Sequence, residues 1–404
     1  MDAIAWEWGG LLLRWVHIIT GIAWIGSSFY FMHLDAALRS IPDIPIGKGG
    51  EAWEVHGGGF YQVRKYLVAP AKLPDDLMWH KWESYSTWIS GFFLLVWVYY
   101  FAADLYLIDP AVRQLSPVAA AAIGIVSLAA GWLVYDALVK SPLSAQPVAL
   151  AAVGFAFVVG MAWFFQHMFS GRGALVHTGA LMGTIMTGNV FMNIIPNQKK
   201  VIADLIAGRA PNPDYGKQAK TRSTHNNYLT LPVLFMMISG HFPLTFTSPY
   251  AWVMVGFVLV AGALVRHFYN ERHAGRGDQW WTWGAAAAAM LAVVLLSMVS
   301  NAGGRERLGL SRIRPPKTQV VQAVPHAVDA IITARCSMCH AAEPVWNGIV
   351  APPKGVRLDT QPAIASQAKA IRIQSVITNA MPPNNITEMT REERHVLAEW
   401  LAKL

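Results

Sequence analysis

PVAAAAIGIVSLAAGWLVY, residues 117–135, is an uncharged run that is long enough to cross a lipid bilayer as one helix. Residues 86–103 form a second run without charge. Of the whole chain, 54% is hydrophobic and only 14% is charged, against about 25% charged residues in soluble domains. This composition excludes an ordinary soluble protein and predicts a helical membrane domain.

Eight apolar runs of this kind follow one another along the first three quarters of the chain. We predict membrane spans at residues 11–34, 84–106, 117–137, 147–168, 174–195, 226–243, 250–267 and 280–300. Tryptophans near the run ends are typical of interfacial belts, namely Trp6, Trp8, Trp79, Trp82, Trp280, Trp281 and Trp283. The alternative, buried helices of a large soluble core, would not give eight runs of this length.

The basic residues between the runs predict the orientation of the chain. Alternate connections fall on two sides, and one side carries 16 Lys and Arg residues against 2 on the other. The positive-inside rule places the basic side in the cytoplasm. We therefore expect a protein of the bacterial inner membrane with both termini in the periplasm. The net charge of +8 then faces anionic lipid and does not indicate nucleic-acid binding.

Cysteine occurs only in Cys336-Ser337-Met338-Cys339-His340. In a C-x-x-C-H motif the two thiols form thioethers with haem c, and the adjacent histidine binds the iron. A redox-active cysteine pair does not need this histidine, and a zinc site would need two more ligands nearby, which do not follow. We predict one covalently bound haem c, with His340 as an iron ligand.

Met381, in the segment Asn379-Ala380-Met381-Pro382-Pro383-Asn384, is predicted to be the second iron ligand. Thioether ligation raises the potential of a haem and suits an electron carrier. The alternative is an ordinary packed methionine. Residues 325–335 and 390–403 predict helices before and after the haem segment. This part of the chain resembles small class I cytochromes c.

These patterns divide the chain into three parts. They are a membrane domain at residues 1–302, a basic, proline-containing linker at 303–320 and a cytochrome domain at 321–404. The predicted fold class is all-α, with an eight-helix transmembrane bundle followed by a small all-α cytochrome c domain.

Histidines within membrane spans are costly and are candidates for function. By predicted depth, His17, His167, His177 and His241 lie toward the outer ends of spans, and His33, His80, His225 and His267 lie toward the inner ends. Histidines on different helices can bind haem b together. The alternative for each is a hydrogen-bonded histidine near the membrane interface. We predict haem b on the outer set, with His17 and His177 as iron ligands.

A second polar cluster is predicted at the inner ends of the fifth and sixth spans. It consists of Asn189, Asn193, Gln198, Arg222, His225 and Asn226. Carboxamides, a guanidinium and an imidazole suit a flat, anionic molecule with many hydrogen-bonding groups. The alternatives are helix–helix hydrogen bonding and, for Arg222, contact with anionic lipid. We expect Arg222 and His225 to be catalytic and the four amides to bind substrate.

Residues 14–26, RWVHIITGIAWIG, resemble the first helix of the HemJ and CopD-like membrane families, whose matching histidine is associated with haem or metal. That resemblance supports a role for His17. With GNVFMNIIPNQ at 188–198, THNNYLTLPVLFMMISGHFP at 224–243 and the C-x-x-C-H motif, the whole chain resembles the bacterial membrane-bound urate oxidase family, PuuD.

The resemblance implies oxidation of urate to 5-hydroxyisourate in purine breakdown. It also implies that the electrons pass through haem to the cytochrome domain and on to the respiratory chain, by way of a soluble cytochrome c or a terminal oxidase. Two other functions are left open by the sequence. One is a purine transporter or channel with a redox-sensing cytochrome, for which inverted repeats are expected but not seen. The other is a quinol-linked electron carrier.

Overall fold

The structure is a computed structural model that describes residues 3–44, 49–66, 73–273, 275–300, 304–305, 308–310, 324–346, 349, 352–353 and 356–404. The described part is mostly helical, which confirms the predicted helical character of the chain. The predicted linker at 303–320 lies largely outside the described residues.

Eleven helices are described up to residue 299. They are α1 (Ala3–Ala37), α2 (Trp82–Leu95), α3 (Ala103–Tyr106), α4 (Pro117–Lys140), α5 (Pro147–Met168), α6 (Gly171–Gly188), α7 (Ile195–Ile206), α8 (Pro213–Ser239), α9 (Pro243–Phe246), α10 (Ala251–His273) and α11 (Trp281–Val299). Two π-helical segments, Val96–Tyr100 and Asn189–Ile194, continue α2 and α6. Through the second of these, α6 runs into α7 without a break.

Five described helices, α1, α4, α5, α10 and α11, are long and apolar enough to cross a membrane. They indicate a membrane protein. The predicted spans at 84–106, 174–195 and 226–243 also fall on helices. The first two are interrupted by π-helical turns, and the third begins in the polar first half of α8. The count of eight crossings stays a prediction.

The helix α6 lies at the centre of the bundle, where it packs against α2, α4, α5 and α8. Its middle is closely packed, because Leu181, Met182 and Ile185 are almost fully buried. Ser170 caps its first turn by accepting a hydrogen bond from the Gly173 amide at 3.0 Å. Because α6 packs against four helices and is capped at its first turn, residues at both of its ends are held between neighbouring helices.

The helix α1 has a peripheral position and packs mainly on α2. Large apolar side chains are exposed along its other face, including Ile4, Trp8, Leu11, Trp15, Ile18 and Ile22. A continuous exposed apolar surface marks contact with lipid or with another protein. For a helix of this length and composition, lipid is the natural neighbour.

The prediction of an all-α fold is incomplete, because residues between α1 and α2 form an antiparallel hairpin of β1 (Gly49–His56) and β2 (Gly59–Tyr66). Gly57 and Gly58 form its turn with φ of 59° and 82°. Positive φ at both central positions matches the twist of paired strands and favours glycine. The paired glycines between alternating apolar and polar residues were the sequence signal for this hairpin.

The C-terminal part is a separate helical unit in the described residues. Its helices are His326–Arg335, Ser337–His340, Gln361–Ser366, Ala368–Ile371 and Arg391–Leu401, with a 3-10 turn at Pro383–Asn385. The predicted helices at 325–335 and 390–403 are therefore confirmed. Thr390 and Glu393 form a capping box at the start of the last helix. Its Leu397 and Trp400 pack with Val328 and Ile332 in the core of this unit.

Candidate functional site

A buried polar network lies where α4, α6 and α8 meet, at the ends predicted to face the cytoplasm. The Tyr135 hydroxyl is 2.7 Å from His225 Nδ1 and accepts a hydrogen bond of 3.0 Å from Asn189 Nδ2. Asn189 also donates to Asn226 Oδ1 at 2.9 Å, and Asn226 donates to the Met186 carbonyl at 2.9 Å. The structure thus brings three predicted residues, Asn189, His225 and Asn226, into one network.

Arg222 belongs to the same network and is only 3% exposed. Its Nη2 lies 2.6 Å from Asp136 Oδ1, and its Nη1 donates to Asn189 Oδ1 at 3.1 Å. The exposed Lys140 places Nζ 2.6 Å from the other Asp136 oxygen. Arg222 also lies over the ring of Tyr135, with 5.2 Å between its Cζ and the ring centroid. Two cations around one carboxylate leave one net positive charge at this end of the bundle.

Tyr135 and Asp136 were not predicted as site residues. Asp136 directly follows the uncharged run 117–135, and an ionisable residue at such a position was the available signal. The remaining two predicted residues lie outside the network in the described contacts. Asn193 is half-buried and Gln198 is exposed. Their neighbour Asn197 instead donates to Gln218 Oε1 at 3.2 Å.

The four outer histidines have different environments. His17 is half-buried on α1, where its Nδ1 lies 3.0 Å from the Thr87 carbonyl and its ring packs against Gly91. His177 is fully buried, with Nδ1 donating to the Gly173 carbonyl at 2.8 Å and Nε2 3.1 Å from the Tyr100 hydroxyl. His167 and His241 are exposed.

His17 and His177 also lie at different depths. His17 contacts Ser90 and His177 contacts Tyr100 along the same segment, a separation of ten positions or about 15 Å at the rise of a helix. No described contact joins any two of the four histidines. Haem b on this set stays a prediction, and we assign no electron-transfer step to it.

The residues of the C-x-x-C-H motif fit a covalently bound haem c. Cys336 and Cys339 are buried and not joined in a disulfide. Burial raises the pKa of the Cys336 thiol to about 12 and also raises the pKa of Cys339. His340 Nδ1 lies 2.8 Å from the Val356 carbonyl, which orients the ring and leaves Nε2 for iron. Among the residues described, no group of three or more His, Cys, Asp or Glu side chains is arranged to hold a metal ion.

The loop of Met381 is also well fixed. The Met381 amide donates to the Gln374 carbonyl at 2.9 Å, and its carbonyl accepts from Arg394 Nη1 at 2.9 Å. Arg394 Nη2 also donates to Asn385 Oδ1 at 3.2 Å. A loop held at both backbone groups can present a thioether in a constant position, as an iron ligand requires.

The model of the urate oxidase N-terminal family matches residues 3–297. The chain belongs to this family. The matched region contains α1 to α11, except for the last two residues of α11. It therefore includes the whole buried polar network described above, which we call the inner network; its members are Tyr135, Asp136, Asn189, Arg222, His225 and Asn226. The C-x-x-C-H segment lies beyond it. Searches among curated proteins and among solved structures each found no match.

Proposed function

We propose that this member of the urate oxidase N-terminal family oxidises urate at the inner network and passes the electrons to haem c in its C-terminal domain. The observation that carries the proposal is the family match over residues 3–297. The network of Tyr135, Asn189, Arg222 and His225 supports it, because it combines a buried guanidinium with a half-buried imidazole.

The reaction requires water and an electron acceptor. Urate monoanion and one water give neutral 5-hydroxyisourate, one proton and two electrons, with a new bond between C5 of the purine and the water oxygen. His225 is placed to take a proton in this step. When its Nδ1–H donates to the Tyr135 hydroxyl, Nε2 is left as the proton acceptor.

The charge of the network suits a urate monoanion. Arg222 was predicted to be catalytic, but its guanidinium is occupied by Asp136 and Asn189. We therefore assign Arg222 a positioning role: it orients Asn189 and, through it, Tyr135 and His225. The net positive charge of Arg222, Lys140 and Asp136 attracts the anion.

When bound, haem c would supply one-electron redox chemistry. Cys336 and Cys339 would hold it covalently, and His340 and Met381 would bind its iron. The predicted orientation, with eight crossings and the C-terminal domain in the periplasm, allows reoxidation by a respiratory acceptor on that side.

The proposal is tested by adding urate to the oxidised, detergent-purified protein under anaerobic conditions. We expect the absorption bands of reduced haem c to appear, with two haems reduced per urate consumed. A pyridine haemochrome spectrum gives the content of haem c and of any extractable haem b. Neither a purine transporter nor a quinol carrier predicts reduction by urate. A wild-type protein with full haem c that urate does not reduce excludes the proposed reaction.

Met381→Ala is expected to abolish the near-infrared charge-transfer band of methionine-ligated ferric haem and to lower the reduction potential, because methionine ligation raises it. Covalent haem is expected to be retained, since both cysteines are still present. Met389→Ala is the control, because Met389 is buried in the core of the same domain. An unchanged band in Met381→Ala would remove this residue as the ligand.

Fusion to alkaline phosphatase tests the orientation. A fusion after Leu404 is expected to be active, because the phosphatase folds only in the periplasm, and an insertion next to Lys217 is expected to be inactive. The basis is the excess of Lys and Arg on one side of the predicted spans. The reverse pattern of activities would invert the orientation and contradict haem attachment outside the cell membrane.

A further inference from the structure

The cytochrome domain contacts the membrane domain at one well-defined place in the described residues. The 3-10 turn Pro383–Asn385 packs against α3, the short helix that follows α2. Asn384 Nδ2 donates to the Leu105 carbonyl at 2.7 Å, across 279 positions of the chain. We call this contact, between residues 383–385 and 103–106, the docking contact.

The docking contact lies next to the predicted iron ligand. Pro383 is two residues after Met381, and Arg394 ties Asn385 and the Met381 carbonyl together. The charge of Arg394 also influences Asp109 of the membrane domain. Burial raises the pKa of Asp109, and the positive charge of Arg394 opposes that rise. The side of the cytochrome domain that carries Met381 therefore faces the end of α3 and the residues after it.

On the membrane side, a chain of hydrogen bonds leads from the docking contact into the bundle. The Tyr106 carbonyl accepts from the Ser170 hydroxyl at 2.9 Å, and this hydroxyl accepts from the Gly173 amide at 3.0 Å. The Gly173 carbonyl is bonded to His177 Nδ1 at 2.8 Å, and His177 Nε2 lies 3.1 Å from the Tyr100 hydroxyl. Every step from Leu105 to Tyr100 is a covalent or a hydrogen bond.

The same helix connects this chain with the inner network. Asn189 begins the π-helical segment that continues α6, and it follows His177 by 12 positions, which is about 18 Å at the rise of a helix. An electron that leaves the inner network must cross most of the bilayer to reach the cytochrome domain. Tunnelling is faster through bonded and closely packed atoms than through gaps, so a bonded route at the outer end of α6 has a direct advantage.

We propose that the docking contact is the electron entry point of the cytochrome domain, with Asn384 as its positioning residue and the chain from Leu105 to His177 as the route on the membrane side. This inference rests on the proposed function for the source of the electrons. The docking itself does not depend on urate.

Cross-linking tests the docking contact without any measurement of activity. Thioether bonds occupy the native cysteines of the haem-loaded protein, so the double variant Leu105→Cys/Asn384→Cys carries two free thiols. A protease site is inserted within 311–320. With a short bismaleimide, we expect haem-stained protein to keep its full mass after cleavage. In the control pair Leu105→Cys/Glu399→Cys, with Glu399 exposed on the last helix, we expect release of a small haem-stained fragment. Release from both pairs would overturn the docking contact.

Rapid kinetics test the route. Asn384→Gly removes the amide but keeps a residue that tolerates the φ of 51° at this position. We expect urate to reduce haem c about fivefold more slowly, the factor for one net hydrogen bond in the docking equilibrium. Glu388→Gly is the matched control, since Glu388 also has a φ of 53° but is exposed and lies outside residues 383–385. The potential of haem c should be unchanged in Asn384→Gly.

The outcomes separate the two proposals. Wild-type rates in Asn384→Gly, with an intact cross-link in the cysteine pair, would mean that electrons enter elsewhere. A wild-type protein that urate does not reduce would count against the proposed function, and the cross-link would still decide whether the domains dock as described.

Discussion

Asp136→Ala is expected to destabilise the folded protein by about 3–5 kcal/mol, the usual cost of removing one partner from a buried ion pair. Arg222 would keep its charge in a place where it is only 3% exposed, and the Asp136 carboxylate at 2.6 Å would be gone. The hydrogen bond from Arg222 to Asn189 would remain, but a neutral amide cannot neutralise the charge of the guanidinium. The measurement is thermal or denaturant unfolding of the detergent-solubilised protein, monitored by circular dichroism.

Two further variants make this prediction specific to the buried pair. Lys140→Met removes an exposed partner of the same carboxylate and is expected to cost less than about 1 kcal/mol. Asp136→Leu combined with Arg222→Met removes both buried charges, so it is expected to be more stable than Asp136→Ala alone. An Asp136→Ala protein as stable as Lys140→Met would show that water reaches Arg222.

His225→Gln is expected to lower kcat for urate oxidation by a factor of about 10² to 10⁴, the usual contribution of a general base. Glutamine keeps a hydrogen-bonding side chain of similar size but cannot accept the proton. The KM is expected to change less, because the net positive charge of the site remains. The measurement is steady-state urate oxidation with a soluble electron acceptor, at equal haem c content.

His267→Gln is the matched control for His225→Gln. His267 is also near the inner end of its helix, and its Nδ1 is 3.5 Å from the hydroxyl of Tyr228, a weaker version of the pair of Tyr135 and His225. Its kcat is expected to stay near the wild-type value. Tyr135→Phe removes only the hydroxyl bonded to His225, and its kcat is expected to lie between those of the two histidine variants. Equal kcat values in His225→Gln and His267→Gln would exclude His225 as the proton acceptor.

Features that depend on neighbouring residues could be predicted from the sequence. The uncharged run 117–135 had to be a membrane-compatible helix, and the structure has α4 at Pro117–Lys140. The helix predicted at 390–403 is found at Arg391–Leu401, and its start is fixed by the capping box of Thr390 and Glu393, which needs residues only three apart. The C-x-x-C-H motif is likewise local, since its thiols and imidazole come from one turn of chain.

The candidate site was predicted only in part. Asn189, Arg222, His225 and Asn226 were recognised because polar residues in a membrane domain stand out, and the structure places them in one network. Their partners Tyr135 and Asp136 were missed, because they close an apolar run on a different helix. The predicted catalytic role of Arg222 assumed a free guanidinium, whereas the structure pairs it with Asp136.

The sequence by itself determined the helical, membrane-protein character of the chain, because it follows from the composition and spacing of adjacent residues, and it predicts haem attachment from the spacing of one local motif. Only the tertiary structure decided that Asp136 meets Arg222 across 86 positions, that Tyr135 meets His225 across 90, and that Asn384 meets Leu105 across 279. It also decided that the outer histidines do not share one depth. Such contacts depend on which helices pack together and on their relative positions along the bundle axis. The spacing of adjacent residues specifies neither.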